Sequence, residues 1–481
     1  MRLKGKSTVL ISTILLLLFG ASFAQQELVL TLEKSVDLAI TKNPQIKIAE
    51  KELAKAKTGI WEAYSIIMPL LNASANFQHS WEIQKNVMPN FLKPTLAPLF
   101  SAMSEFESIP GVGEMIGDIP DPDAIPDYLE LSFGLENTFM YGVTLTQPLY
   151  LGGAAISGIK ISHAAKRAAE RNLESKRQNL IYQSVNAFYA CLTTQKVVEV
   201  QQEALRQSEA NLDIVTKKYN AGAASGFDQM RAQVEVANLK PVVISAQNAH
   251  EAAQTQLRMI LGLDRNTNII LEGQLSYIED EFGDQDLAEI QSQALRTRPE
   301  MQALSEQIYI AQKGVSIARS SFMPKLFFQT DYSYLAMKDN LHISQSDFNK
   351  GFSSAISLQI PLFTGFKNCK QYQKAKLDYR LMLDTEKQVS DGIQAEAEFA
   401  YNMFKEARQK YNAANQSVGL AEEALRLANM MYEEGANTQL DVLNSQLALT
   451  RARLNHVSSL YEYQMARYQL RKVTGTLKRI L

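Results

Sequence analysis

The chain has 481 residues and a formal net charge of -2, with 46% hydrophobic and 21% charged residues. This composition argues against a disordered chain and against a bundle of membrane-spanning helices. The near-neutral charge balance supplies no basic field, so we expect no nucleic-acid partner.

The first residues have the pattern of a secretory signal peptide. Three basic residues precede an apolar run from Val9 to Phe19, and small residues around Ala24 offer a cleavage site. The run is shorter than the about 20 residues that a membrane-spanning helix needs. We therefore expect residues 1–24 to be removed on export.

The rest of the chain is internally duplicated. A Met-Pro dipeptide ending at Pro69 recurs at Pro324, and a Pro-Leu-aromatic sequence at Pro148 recurs at Pro361. The second spacing is 42 residues shorter than the first, so the first half contains an insertion. Its many prolines and aspartates predict an inserted loop at about 82–128.

Each half predicts the same order of elements: helix, strand, strand, long helix and shorter helix. The fold is therefore expected to be mainly α with a small β portion. The predicted divisions are a first repeat at 25–262, an inter-repeat segment at 263–285, a second repeat at 286–475 and a short tail at 476–481.

Alternation of apolar and polar residues predicts the strands, and helical periodicity predicts the hairpins. The strands are expected at about 70–81, 129–147, 325–335 and 352–362, and the helical hairpins at 154–262 and 367–474. Prolines at the strand-helix junctions are expected to set changes of direction where a missing amide does least harm. These junction residues are Pro69, Pro148, Pro324 and Pro361.

Within the helical pattern, several boundaries can be placed more closely. The first helix of each half is expected to break at Pro44 and at Pro299, and Pro241 should bend or break the first return helix. The long helices are predicted at about 154–221 and 367–434. Their heptad contacts are expected at Val198, Leu205, Leu212 and Tyr219.

The turns of the two hairpins carry the same short motif. A glycine that can adopt the left-handed conformation stops one helix, and a Ser or Thr with an Asp three residues later has the spacing of a capping box for the next. The first copy contains Tyr219, Gly222, Ser225 and Asp228, and the second contains Tyr432, Gly435, Thr438 and Asp441.

The predicted strands cannot form a closed wall within one chain. Their alternation and aromatic content are typical of a transmembrane β-barrel, but four strands leave open edges. An unpaired backbone amide in a bilayer costs several kcal/mol, so strands of several chains should complete the wall. Periodicity leaves two, three or four chains open.

The doubled tip motif, the doubled Met-Pro before a strand, the Gln-Pro-Leu-Tyr and Ile-Pro-Leu-Phe exits and the signal peptide together resemble the TolC-like outer-membrane efflux proteins. This resemblance covers residues from about 30 to 475. It implies a homotrimer with a 12-stranded barrel in the outer membrane of a Gram-negative bacterium, continued by an α-helical barrel through the periplasm. The loop at 82–128 would be extracellular.

The resemblance also implies a function. The chain would be a passive duct of a tripartite efflux or type I secretion system, working with a periplasmic adaptor protein and an inner-membrane transporter of the RND, ABC or MFS class. Outer-membrane lipid would surround its barrel.

In this family's pattern the second tip forms the inner gate, which implies a gate at Tyr432, Asn437 and Asp441. A ring of Asp441 carboxylates would attract cations. Members often have an Arg where this chain has Asn437 and a second Asp where it has Asn444. We therefore expect closure to depend on hydrogen bonds from Tyr432 and Asn437.

No nucleophile motif, phosphate-binding loop or metal-ligand spacing is present in the sequence, so we expect no enzyme activity, no cofactor and no metal site. The alternative from another class is a secreted coiled-coil scaffold or adaptor without a pore, in which the apolar strands form a soluble sandwich.

Overall fold

The computed structural model describes residues 28–107, 121–132, 134–279, 282 and 285–477. The predicted signal peptide and residues 478–481 of the tail lie outside these ranges. The described residues divide into a helical unit, which lies within 28–63, 156–318 and 369–477, and a sheet unit, which lies within 64–155 and 319–368.

The helices are α1 (Leu32–Lys42), α2 (Pro44–Ser65), α3 (Lys93–Glu107), α4 (Ala154–Asn220), α5 (Gly226–Leu261), α6 (Leu287–Thr297), α7 (Pro299–Ser320), α8 (Lys367–Glu433) and α9 (Gln439–Val473). The strands are β1 (Leu28–Leu30), β2 (Leu70–His79), β3 (Lys85–Pro89), β4 (Tyr128–Ser132), β5 (Asn137–Leu151), β6 (Ile269–Leu271), β7 (Lys325–Lys338) and β8 (Asn349–Gln359). This order confirms the predicted duplicated, mainly helical fold.

The helix breaks predicted at Pro44 and Pro299 are present, and the residue before each proline makes different hydrogen bonds. Asn43 separates α1 from α2; its Nδ2 donates to Ile260 O at 2.9 Å and its Oδ1 accepts from Gln45 N at 2.8 Å. Arg298 separates α6 from α7 and is buried, with Nη1 donating to Glu396 at 2.5 Å. A residue before proline avoids the helical conformation, so each helix ends there.

The long helices α4 and α8 have 67 residues each, close to the predicted length. Of the two predicted effects of Pro241, a bend or a break, the break does not occur, since α5 runs through this residue. Proline costs a helix interior about 3 kcal/mol. Val236 and Val243 are buried on either side of Pro241, and their packing offsets this cost.

The predicted heptad on α4 is not its most buried face. Val198, Leu205 and Leu212 are only half-buried, and Tyr219 is 44% exposed. The buried residues of this stretch are spaced alternately three and four positions apart, and two of them directly precede predicted heptad residues. They are Gln201, Ala204, Ser208, Asn211 and Val215. Most side chains of this buried face are small or polar. The apolar heptad pattern therefore indicates residues beside the buried face and not the face itself.

Two hydrophobic clusters form the core of the helical unit. Buried residues of α1, α2, α4, α5 and α9 contribute to one cluster, which includes Ile46, Phe188 and Leu257. Residues of α6, α8 and α9 make the other, which includes Phe404 and Tyr463. β1 and β6 pair in parallel beside the first cluster. No helix in the described ranges is both long and apolar enough to cross a membrane.

The sheet unit contains an antiparallel sheet with the order β2-β5-β7-β8. The two edge strands, β2 and β8, are exposed along almost their whole length. The register places Asn72, Thr144, Asp331 and Ser353 on one face of the sheet. Polar side chains therefore collect on one face and apolar ones on the other, as the alternation predicted.

The predicted strand at 129–147 is wrong in one respect, because it is two strands. β4 pairs with β3 in a separate two-stranded sheet, while β5 belongs to the main sheet. Gly134, with φ of 120°, lies between them. The alternation of side chains continues past Gly134, so the pattern could not reveal the change of partner strand.

The inserted segment is also more regular than a loop. Besides β3, its described residues form α3 and a short 3-10 helix at Pro122–Ala124. Lys93 Nζ lies 2.6 Å from Asp127 Oδ1, and Asn90 Nδ2 donates to Pro126 O at 2.9 Å. These contacts join the beginning and the end of the insertion.

Three of the four predicted junction prolines flank strands. Pro69 and Pro324 directly precede β2 and β7, and Pro361 follows β8. Pro148 instead lies inside β5, at an irregularity in its pairing with β7. The pairing of β5 with β2 ends at Thr146, so on that side the missing amide of Pro148 faces no partner strand.

Candidate functional site at the hairpin tips

Each long helix ends at a glycine in the left-handed conformation. Gly222 has φ of 71° and Gly435 has φ of 75°. Beyond the first, Ala223 N donates to Lys218 O at 2.8 Å, and beyond the second, Ala436 N donates to Met431 O at 2.8 Å. These bonds satisfy carbonyls that a helix end leaves free, so both turns are tightly defined.

The predicted capping boxes are confirmed. Asp228 N donates to Ser225 Oγ at 3.1 Å, while Ser225 N donates to the Asp228 carboxylate at 3.3 Å. In the second turn, Asp441 N donates to Thr438 Oγ1 at 3.4 Å and Thr438 N donates to the Asp441 carboxylate at 2.9 Å. Each box satisfies two amides at the start of the returning helix.

The Asp441 carboxylate is exposed and ionised at neutral pH. Hydrogen bonds from the Thr438 hydroxyl and then from the Thr438 amide lower the pKa of Asp441. Asn444 is exposed one helical turn further along α9. The second tip therefore presents a fixed negative charge followed by a neutral amide.

A contact between the two hairpins was not predicted from the sequence. Lys218 Nζ donates to Tyr432 O at 2.9 Å, and the same ammonium lies 3.8 Å from the centroid of the Tyr432 ring. Lys218 therefore binds both the backbone and the aromatic face of one residue on the other hairpin. The two residues are 214 positions apart, so no local pattern could reveal the pairing.

The Tyr432 side chain is half-buried in this contact. Its burial, and after that the nearby Asp228 carboxylate, raise the pKa of Tyr432 above its ordinary value. The phenol is therefore neutral at physiological pH. The charge of Asp228 on the first hairpin therefore acts on Tyr432 of the second.

The other tip residues make more local contacts. Asn437 N donates to Met431 O at 3.2 Å and helps to close its own turn. The Tyr219 ring is exposed and lies beside Gly226, where an added Cβ would be 3.6 Å from the ring. The structure therefore brings Tyr432 into contact with Lys218 of the other hairpin, but leaves Tyr219 on the surface of the first tip.

A cavity of about 260 Å³ separates the two hairpins next to this contact. Asn211, Ile214, Leu425, Asn429 and Tyr432 are among its lining residues. Asn211 is 5% exposed, and its Nδ2 has no hydrogen-bond partner among the described residues. The hairpins are therefore loosely packed above the tips.

The duplicated hairpins and the amphipathic sheet define the architecture of an outer-membrane channel. A solved structure of the outer-membrane protein VceC from Vibrio cholerae has the same fold, with a TM-score of 0.71 over 92% of this chain and 96% of that chain, at 17% identity. No group of three or more His, Cys, Asp and Glu side chains in the described part of the chain could hold a metal ion.

Sequence comparisons identify the family. Residues 35–263 and 290–476 match the family described as Outer membrane efflux protein, and the chain belongs to it. Protein CyaE of Bordetella pertussis is 24% identical over 333 residues, which cover 69% of each chain. Outer membrane protein TolC of Vibrio cholerae is 23% identical over 352 residues, which cover 70% of this chain and 76% of that protein.

The chain is therefore an efflux or secretion channel of the outer membrane with a helical extension into the periplasm. This agrees with the predicted function and location and does not support the alternative of a scaffold without a pore.

Proposed function

We propose that three copies of the chain form one passive duct from the periplasm to the exterior. Each copy would contribute β2, β5, β7 and β8, so that three copies close a barrel of 12 strands. The observation that carries this proposal is the pair of unpaired edges. β2 and β8 are both exposed, and among the described residues neither has a neighbouring strand on its outer side. A bilayer does not tolerate such edges.

The duct would be gated where the two hairpins turn. Lys218 on the first hairpin and Tyr432 on the second form the contact that must separate when the hairpins move apart. A hydrogen bond and a cation–π contact each contribute about 1 kcal/mol at a partly exposed site. A contact of this strength holds the tips together but can be broken by a partner protein.

Asp441 would line the closed tip and select for cations. Its carboxylate is exposed and its ionised form is stabilised by Thr438. Three copies would form a ring of negative charge in a narrow passage. Since Asn444 is neutral, the passage would have one ring of carboxylates and not two. Cations would pass a single ring more readily than they would pass two.

The duct would work with a periplasmic adaptor protein and an inner-membrane transporter of the RND, ABC or MFS class. The sequence contains no phosphate-binding loop that could supply energy from a nucleotide. A passive duct cannot move its cargo against a gradient. We therefore assign energy coupling to the transporter and attribute no catalytic activity to this chain.

The proposal is tested by reconstituting the purified chain in planar bilayers and measuring single-channel conductance. We expect small, cation-preferring currents in the wild type and larger currents in Lys218→Met. Absence of conductance in both proteins would refute the duct, whereas equal conductance would remove Lys218 from the gate.

A further inference from the structure

An aromatic belt crosses the apolar face of the four-stranded sheet. Phe77 of β2 and Phe139 of β5 have ring centroids 4.7 Å apart. Tyr334 of β7 lies opposite Tyr141 on one side and opposite Lys350 on the other. Phe352 of β8 has its ring centroid 6.3 Å from that of Tyr332 of β7, so the belt spans all four strands and Lys350 lies beside it.

The charge of Lys350 is not neutralised within the described part of the chain, where no carboxylate forms an ion pair with it. The neighbouring Lys338 is different, because its Nζ lies 2.7 Å from Asp347. Asp331 is on the opposite face of the sheet, since it pairs with Ser353 and Thr144. Lys350 therefore presents a free positive charge beside apolar side chains.

Two phenol groups lie next to this charge. The hydroxyls of Tyr332 and Tyr334 are 3.1 Å apart and share a hydrogen bond. Only one of the two donates to the other, so one hydroxyl proton is left to donate to a third group. An ammonium and a phenol O–H are both hydrogen-bond donors, which suits an anionic acceptor with several oxygens.

The position along the strand matches a membrane boundary. From Leu326 to Tyr334 the apolar face extends about 27 Å at about 3.4 Å per residue. A strand tilt of about 40° reduces this to a height of about 20 Å, against an apolar band of about 25 Å in outer-membrane barrels. β7 begins five residues after α7 ends, so Tyr334 lies nine residues along the strand from that connection.

We propose that Lys350, together with the hydroxyls of Tyr332 and Tyr334, binds the phosphate of a phosphorylated lipid in the outer leaflet of the membrane. The aromatic belt contacts the acyl chains and the sugar or glycerol of that lipid. Lys350 and the two hydroxyls bind its phosphate and so position the head group. The site depends on the outer-membrane location of the sheet, and not on the gate.

The test measures lipid binding to the purified full-length channel in detergent by native mass spectrometry. The probe is lipid A, a glycolipid with two phosphate groups, and the matched lipid is its dephosphorylated form. We expect the wild type to bind lipid A in preference to the dephosphorylated form. Lys350→Gln should weaken lipid A binding about ten-fold, since a charge-assisted hydrogen bond is lost.

Two variants serve as controls. Lys350→Arg keeps the charge and should retain binding, and Lys325→Gln removes a lysine at the other end of the sheet and should not change it. Conductance and thermal stability of each variant report whether the channel is intact. Equal binding of lipid A by wild type and Lys350→Gln, or equal binding of the two lipids by the wild type, would overturn the proposal.

Discussion

Lys218 and Tyr432 are 214 residues apart and join the two hairpins, since one ammonium lies 2.9 Å from the carbonyl oxygen and 3.8 Å from the ring centroid. The cation of this contact lies on the first hairpin, and its acceptor oxygen and aromatic ring lie on the second.

The first prediction concerns this contact. Lys218→Met removes the charge but keeps most of the length of the side chain. The two lost interactions contribute about 2 kcal/mol together, so we expect the open fraction of the channel to rise about thirty-fold. Single-channel recording measures this fraction. The matched control is Lys217→Met, because Lys217 is exposed and pairs with Asp213 of its own helix. An equal change in both variants would show a general charge effect.

The second prediction concerns the capping box of α9. Thr438→Ala removes the hydroxyl that accepts from Asp441 N, and we expect the start of α9 to lose about 1 kcal/mol of stability. Thr438→Ser keeps the hydroxyl and should stay near the wild type. Hydrogen exchange of the amides at 439–442 measures the loss. Unchanged protection in the alanine variant would contradict a capping role.

The third prediction concerns pH. Thr438 lowers the pKa of Asp441 below its ordinary value of 3.8. A group with a lowered pKa in the folded state stabilises that state above its unfolded pKa and loses this effect as the pH falls through its folded pKa. We therefore expect the capping contribution and the cation preference to persist down to about pH 4 and to fall below it.

Asp441→Asn should remove the cation preference at pH 7, and Asn444→Asp should increase it by adding a second charge one turn away. Reversal potentials in a salt gradient measure both effects. A wild-type cation preference in Asp441→Asn would place this carboxylate outside the conducting path.

The fourth prediction concerns Arg298, the buried residue between helices α6 and α7. Its guanidinium contacts the carboxylates of Glu396 and Glu300. Burial opposes ionisation of Glu300, but hydrogen bonds from Ser175 and the charge of Arg298 outweigh it, and the pKa of Glu300 is lowered. We expect Arg298→Ala to cost about 2 kcal/mol of unfolding free energy, with the two carboxylates partly screened by solvent.

The exposed neighbour Arg296 provides the control, since Arg296→Ala should cost less than about 0.5 kcal/mol. Denaturation in detergent by urea, followed by circular dichroism, compares the two. Similar losses in both variants would show that the buried ion pairs do not stabilise the break.

The sequence predicted those features whose cause is local. The capping boxes at Ser225 and Thr438 and the helix break before Pro299 each depend on residues within one helical turn. By contrast, the alternating pattern of β4 shows that it is a strand but not which strand it pairs with. Its pairing with β3 therefore could not be predicted. The sequence predicts a junction at Pro148 for the same reason, because the tolerance of a proline inside β5 depends on where β2 ends.

The tip could be located from its motif, but its principal contact could not be predicted. Lys218 precedes Tyr219 in an ordinary polar stretch, and only the packing of the hairpins gives it a partner. Likewise, the buried face of α4 that contains Ser208 and Asn211 is polar. The heptad pattern therefore predicts contacts for the more apolar residues beside it.

The central claim is that identical chains complete one barrel, and the number of chains in a conducting particle tests it most directly. Native mass spectrometry of the detergent-solubilised channel, recorded on the sample that gives bilayer conductance, measures this number. The account predicts three chains per particle and no conducting monomer. A conducting particle that contains one, two or four chains would contradict it.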